Sequence, residues 1–87
     1  MKSKTVQERA ETVVSRILTE NILSLSEARI ELQKVTGHRP DKATLWRWIT
    51  RGVGGVKLEA VRLGGRSIYT STEALNRFIV ARTIGLQ

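Results

Sequence analysis

The chain has 87 residues, with 15 Lys plus Arg against 8 Asp plus Glu and a formal charge of +7. That length allows one domain and leaves little room to enclose a substrate. The absence of cysteine excludes disulfides and thiolate metal sites, and no apolar run approaches the ~20 residues needed to cross a bilayer.

The charge is uneven. Between Arg39 and Arg66 there are seven basic residues (Arg39, Lys42, Arg47, Arg51, Lys57, Arg62, Arg66) and two acidic ones (Asp41, Glu59), so +5 of the +7 falls in about a third of the chain. Such a local field favours nucleic acid or another anionic surface. The start, Met1-Lys2-Ser3-Lys4, is basic, and no apolar signal core comes after it. A cytoplasmic protein is expected.

From about Thr5 to Glu20, Val6, Ala10, Val13, Val14, Ile17 and Leu18 recur at three- and four-residue steps. They predict an amphipathic helix, and its stripe must be buried on something. The domain core would serve, and so would a second copy or a partner protein. Residues 1–22 are accordingly read as an N-terminal helical element and residues 23–87 as the main domain.

Asn21 to Leu23 reads as a short break. Ser24-Leu25-Ser26-Glu27 then has the spacing of a capping box, and the helix it opens runs through Ala28, Ile30, Leu32 and Val35 to a stop at Gly37. Gly37-His38-Arg39-Pro40 is a turn, with Asp41 placed to cap the next helix.

That helix, predicted over 41–51, is the most telling segment. Leu45, Trp48, Ile49 and Gly52 share one face. Lys42, Ala43, Thr44, Trp46, Arg47, Thr50 and Arg51 occupy the rest, which gives a helix with a buried side and a cationic side. Trp46 has two readings: a contact on a nucleic-acid backbone, or a cover for the gap between this helix and the hairpin.

Gly52-Val53-Gly54-Gly55 is expected to be a flexible link. Val56 to Leu63 reads as a strand with a bulge or a bend near Ala60, Gly64-Gly65 as a two-residue turn with positive φ, and Arg66 to Thr70 as the returning strand, with Ile68 inward and Tyr69 outward. Thr70 and Glu73 have the spacing of a second capping box. Ala74, Leu75, Phe78 and Ile79 give the last helix its buried stripe, with Gly85 beyond its end.

Catalytic chemistry finds little support. The one histidine, His38, sits in a turn without ligands at metal spacing, and no serine lies in a nucleophile elbow. A non-enzymatic protein without cofactor is expected. A helix with a cationic face suits the major groove of B-DNA, where Arg47 can bridge two acceptors on a base edge or phosphate. Thr44 can reach a phosphate or a thymine methyl, and Lys42 and Arg51 suit phosphates. The hairpin tip Gly64-Gly65 can approach a backbone closely, with Arg62 and Arg66 beside it for a narrow minor groove.

The segment from Leu23 to Ile79 resembles the small winged helix-turn-helix DNA-binding domains grouped with excisionases and MerR-like regulators. The residues that carry the resemblance are Leu23-Ser24-Leu25-Ser26-Glu27-Ala28, Thr44-Leu45-Trp46-Arg47-Trp48-Ile49-x-x-Gly52, Val61-Arg62-Leu63-Gly64-Gly65-Arg66 and Glu73-Ala74-Leu75-x-x-Phe78-Ile79. Within that group the chain is similar to a bacterial family of short proteins with the pattern T-L-x-R-W-I-x-x-G-V-x-G-x-K-L-E-A-x-R-x-G-G-R. The resemblance implies a mainly α fold with a small β-hairpin, and double-stranded DNA binding through Thr44, Arg47 and the Gly64-Gly65-Arg66 tip. It also implies a role in mobile-element excision or in local transcription control, the latter as a small repressor. An adaptor, such as a small terminase or replication subunit, is the alternative outside DNA binding. Three features depart from the group: the connector from Gln33 to Asp41 is longer than an excisionase turn, Val53-Gly54-Gly55 is extra, and the first twenty residues have no counterpart. The dimerisation helix and effector domain of MerR-like regulators have no counterpart in these 87 residues, so no small-molecule effector is expected.

Overall fold

In a computed structural model of the protein, the described residues are 6–85; the basic start Met1 to Lys4, the expected helix start at Thr5 and the side chain of Val6 lie outside the described residues. Four helices and a small antiparallel sheet occur in the order α1 (Val6–Leu18), β1 (Ile22–Ser24), α2 (Leu25–Thr36), α3 (Lys42–Thr50), β2 (Val61–Arg62), β3 (Ile68–Ser71) and α4 (Thr72–Ile84). The fold is mainly helical with a small hairpin, as expected, and the sheet has one strand more than the hairpin supplies.

The extra strand is β1, in the segment read as a break. It lies beside β3 with Leu23 opposite Thr70, and the strand order is β1-β3-β2. Where β1 ends, α2 begins. Ser24 accepts from the Glu27 backbone N–H at 3.1 Å, and the Glu27 carboxylate accepts from the Ser24 N–H at 2.8 Å, so the capping box is complete. Gly37 closes α2 in the left-handed region at φ 77°, with its N–H donating to the Gln33 carbonyl. The connector to α3 is held at three points. The Arg29 Nε–H donates to the Pro40 carbonyl at 2.7 Å, Arg39 donates to the Gln33 side chain, and Thr36 exchanges bonds with the His38 backbone. Its extra length therefore does not leave α3 loose. Asp41 has the extended backbone of a cap residue, and its side chain makes no capping bond.

The core is built from Ile17, Leu23, Ala28, Leu32, Leu45, Leu58, Val61, Ala74, Leu75 and Phe78, with Val13, Trp48, Ile49 and Tyr69 packed against it. Ile17 is fully buried, so the C-terminal half of α1 is part of this core. Ala10, Val14 and Leu18 of the same helix stay exposed. Trp48 meets Phe78 at 5.0 Å between ring centroids, and the Arg82 guanidinium lies over both rings. Ile79, expected in the buried stripe of α4, is exposed; Ala74, Leu75 and Phe78 already fill the contact.

Three further expectations are corrected. Residues 52–55 form a closed turn, because Val53 and Val56 exchange both backbone hydrogen bonds, at 2.7 and 3.0 Å. Only Val61–Arg62 of the segment 56–63 pairs as a strand; before it, the Leu58 N–H donates to the Trp48 carbonyl at 2.9 Å and draws the chain onto α3 instead. The cap of α4 is Ser71, whose hydroxyl accepts from the Ala74 N–H, while the Thr70 hydroxyl is committed to the Glu59 carbonyl and Glu73 accepts from the Asn21 N–H.

Arg77 of α4 ties the remaining elements together. Its guanidinium takes both oxygens of Glu20, in the link between α1 and β1, and reaches Glu59 at 2.7 Å; Glu59 is also held by Arg16 of α1 at 2.7 Å. The Ser71 hydroxyl donates to Glu20 at 2.6 Å. The hydrogen bonds from Arg77 hold the Glu20 carboxyl below its usual 4.5, burial pulls the other way, and Ser71 adds to the lowering. The same bonds to Glu20 push Arg77 above the usual arginine range, so it stays charged.

Two outcomes are expected for stability. A carboxyl lowered by folding stabilises the fold above its unfolded pKa and loses that contribution as pH falls through its folded value. Urea unfolding should therefore show stability dropping as pH falls below 4.5. Glu20→Gln should be less stable at neutral pH, with a gap from the parent that closes in acid. In the turn, Gly52 has φ 77° and an added Cβ would lie 2.4 Å from the Val56 carbonyl oxygen, whereas Gly54, at φ 58°, has nothing within 4 Å. Thermal melts should find Gly54→Ala costing ~1–2 kcal/mol, the left-handed penalty alone, and Gly52→Ala clearly more.

Candidate nucleic-acid interface

The inner side of α3 is fixed by Leu45, Trp48 and Ile49, and this turns the opposite side to solvent. Lys42, Ala43, Trp46, Arg47, Thr50 and Arg51 are exposed, and Thr44 is half-buried. Trp46, at 42% exposure, is on the open face beside Ala43, Arg47, Thr50 and Arg51 and does not belong to the core. Arg47 lies along the helix with an Nη–H 3.4 Å from the Thr44 hydroxyl, and the Thr50 hydroxyl donates to the Trp46 carbonyl. The second hydroxyl bond satisfies the exposed Thr50 locally.

The hairpin approaches α3 at its first residue, Lys42. A cleft of about 280 Å³ runs between them, lined by Ser24, Leu25 and Ser26 at the start of α2, by Lys42 at the start of α3, and by Arg66, Ser67, Ile68 and Tyr69. Two residues far apart in sequence, Lys42 and Arg66, thus share one cleft. The hairpin loop covers residues 63–67 and closes through the Leu63 N–H on the Ser67 carbonyl. Gly64 and Gly65 are exposed at its tip, and neither has the positive φ expected of a two-residue turn. The longer loop does not require it. Arg62 folds back to donate to the Gly65 carbonyl at 3.1 Å, while Arg66 is exposed and makes no ion pair among the described residues. Tyr69 packs against the core and is half-buried; Ile68, expected inward, is also half-buried and does not join the core. The pairing of Tyr69 with buried Val61 sets this parity.

The ion pairs among the described residues are Arg16–Glu59, Lys34–Glu31, Arg77–Glu20 and Arg77–Glu59. None involves Lys42, Arg47, Arg51, Arg62 or Arg66. Glu27 and Glu73 are engaged by backbone N–H groups. The cations of α3 and of the hairpin are therefore left without acidic partners, free to meet an external anion without first breaking an ion pair. Among the described residues, no three His, Cys, Asp or Glu side chains gather into a possible metal site, and His38 stands in the turn with its backbone bonded to Thr36. No described helix is long and apolar enough to cross a membrane.

A protein-family model, Protein of unknown function (DUF1580), matches residues 29–83. The chain belongs to the DUF1580 family. The match spans most of α2, all of α3, the hairpin and nearly all of α4, so the DUF1580 region contains every residue of the exposed basic face. No curated protein and no solved structure matches the chain.

Removal of the unpaired cations should leave the fold intact. Arg66→Ala and Arg51→Ala should leave the melting stability within ~0.5 kcal/mol, as for surface sites without partners. Arg62→Ala, which loses the bond to the loop carbonyl, should cost about 1 kcal/mol in the same melts.

Proposed function

We propose that this protein binds double-stranded DNA in the manner of a winged helix-turn-helix, with α2 and α3 as the helix pair and β2–β3 as the wing. The observation that carries the reading is the exposed side of α3 and the neighbouring hairpin, whose arginines and lysine have no acidic partner while Glu20, Glu27, Glu59 and Glu73 are engaged elsewhere. Placed in a major groove, α3 would bring Arg47, Thr44, Thr50 and Trp46 to base edges, with Lys42 and Arg51 on phosphates. Arg66 and the Gly64-Gly65 tip would follow the adjacent backbone or minor groove. The resemblance to excisionases supports an architectural or regulatory role in a mobile element, and a small repressor would use the same contacts.

A second reading has one observation of its own. Val14 and Leu18 of α1 remain 38% and 50% exposed, which suits an adaptor that holds a partner protein through this helix. Salt separates the two readings. Phosphate contacts give an affinity that falls steeply with salt, and contact through apolar residues does not.

The test is fluorescence anisotropy of labelled duplexes over a salt series, followed by selection from random duplexes. Arg47→Ala should cost ~1–3 kcal/mol on the selected site and relax one base position. An even loss on all sequences would make Arg47 a phosphate contact only. No loss in a folded variant would remove α3 as the reader.

A further inference from the structure

The hairpin has only two ladder pairs, Val61 with Tyr69 and Arg62 with Ile68. A ribbon so short depends on what holds each of its strands: β3 is paired with β1 as far as Tyr69, whereas β2, at the edge of the sheet, has β3 alone beside it. The aim of β2 is set where the chain enters it. At that point stands Glu59, two residues before β2. Its carboxylate is gripped by Arg16 from α1 and by Arg77 from α4, each at 2.7 Å, and its backbone carbonyl accepts the Thr70 hydroxyl of the returning strand at 2.8 Å. The residue before it, Leu58, is buried and bonded to the Trp48 carbonyl at the end of α3. The base of the hairpin is thus located against α1, α3 and α4 at once, on a side chain that does not line the Arg66 cleft.

We propose that Glu59 is the positioning residue of the hairpin: it holds Arg66 at the height of α3 and so governs duplex affinity without touching DNA. This rests on the DNA-binding reading above. Arg16 and Arg77, though basic, then act as grips and not as phosphate contacts. Their charge is consumed by Glu59 and Glu20.

The sign of one substitution separates this from a charge effect. Glu59→Gln raises the formal charge from +7 to +8, which by itself tightens binding to a polyanion. Mispositioning of the hairpin weakens it. We expect Glu59→Gln to bind a short mixed-sequence DNA duplex roughly tenfold more weakly than the parent, in the range of coupling within one ion-pair network. A double-mutant cycle supplies the second readout. Arg66→Ala should cost little more in the Glu59→Gln background, because the hairpin contact is already lost, whereas Arg47→Ala should cost as much as in the parent. A merely structural loss would weaken both contacts alike. Circular dichroism checks the fold of each variant; should Glu59→Gln fail to fold, Glu59→Asp, which keeps the charge and is too short for both grips, takes its place in the same cycle. Equal or tighter binding by the folded variant, or full additivity with Arg66→Ala, would overturn the proposal. A parent protein with no salt-dependent duplex binding would instead overturn the DNA-binding reading itself.

Discussion

Much of this molecule depends on one guanidinium. Arg77 of α4 binds two carboxylates from different parts of the chain, Glu20 from the α1–β1 link and Glu59 from the approach to the hairpin. A planar fork with donors at fixed angles can hold two such groups in one plane, which a lysine ammonium cannot do. The Glu20 side chain is only 12% exposed, and with Arg77 removed it would be a nearly buried charge keeping only the Ser71 hydroxyl bond. The arrangement joins the N-terminal helix, the sheet and the last helix into one body. It also disposes of acidic residues that would otherwise be free to neutralise the basic face.

The hydrophobic side of the fold follows the same logic of joining distant elements. Leu45 anchors α3 in the core and Trp48 stacks on Phe78 of α4, and Arg82 lies over the two rings. Once α3 is fixed in rotation by this contact, its outer residues have no choice of direction. The exposure of Trp46 beside Arg47 is a consequence of burying Leu45 and Trp48, since neighbours in a helix face different ways.

Features that depend on near neighbours were legible in the sequence. The Ser24–Glu27 capping box, the Gly37 stop and the buried stripe of Leu45, Trp48 and Ile49 each need only a few adjacent residues to be recognised. So was the basic face, because Ala43, Arg47 and Thr50 fall at helical spacing opposite the buried stripe, with Lys42 and Arg51 on its two flanks. What escaped depends on partners far along the chain. The strand β1 is three residues long and exists because Ser71, Thr70 and Tyr69 lie beside it. The cap of α4 moved from Thr70 to Ser71 because the Thr70 hydroxyl is taken by Glu59. The Gly-rich segment 52–55 read as a flexible link, although Val53 and Val56 close it; spacing alone does not reveal that exchange of backbone bonds. The Glu20–Arg77–Glu59–Arg16 circuit had no local signature at all. Its members are scattered over the chain, and each taken singly reads as an ordinary surface charge.

The closed turn at residues 52–56 bears on how the protein would meet a protease. A glycine-rich connector between a helix and a hairpin is the kind of segment that is nicked first. Here the backbone groups of Val53 and Val56 are satisfied by one another, and Leu58 just beyond is anchored on Trp48. No extended stretch is offered for cleavage, and a protease would have to wait for local opening. The exposed loop at residues 63–67, closed by the bond from Leu63 to Ser67 and tied only by the exposed Arg62 side chain on the Gly65 carbonyl, is the weaker point. Digestion would thus sever the hairpin tip before it parted α3 from the hairpin, leaving the helix face intact on a body that had lost its second arm.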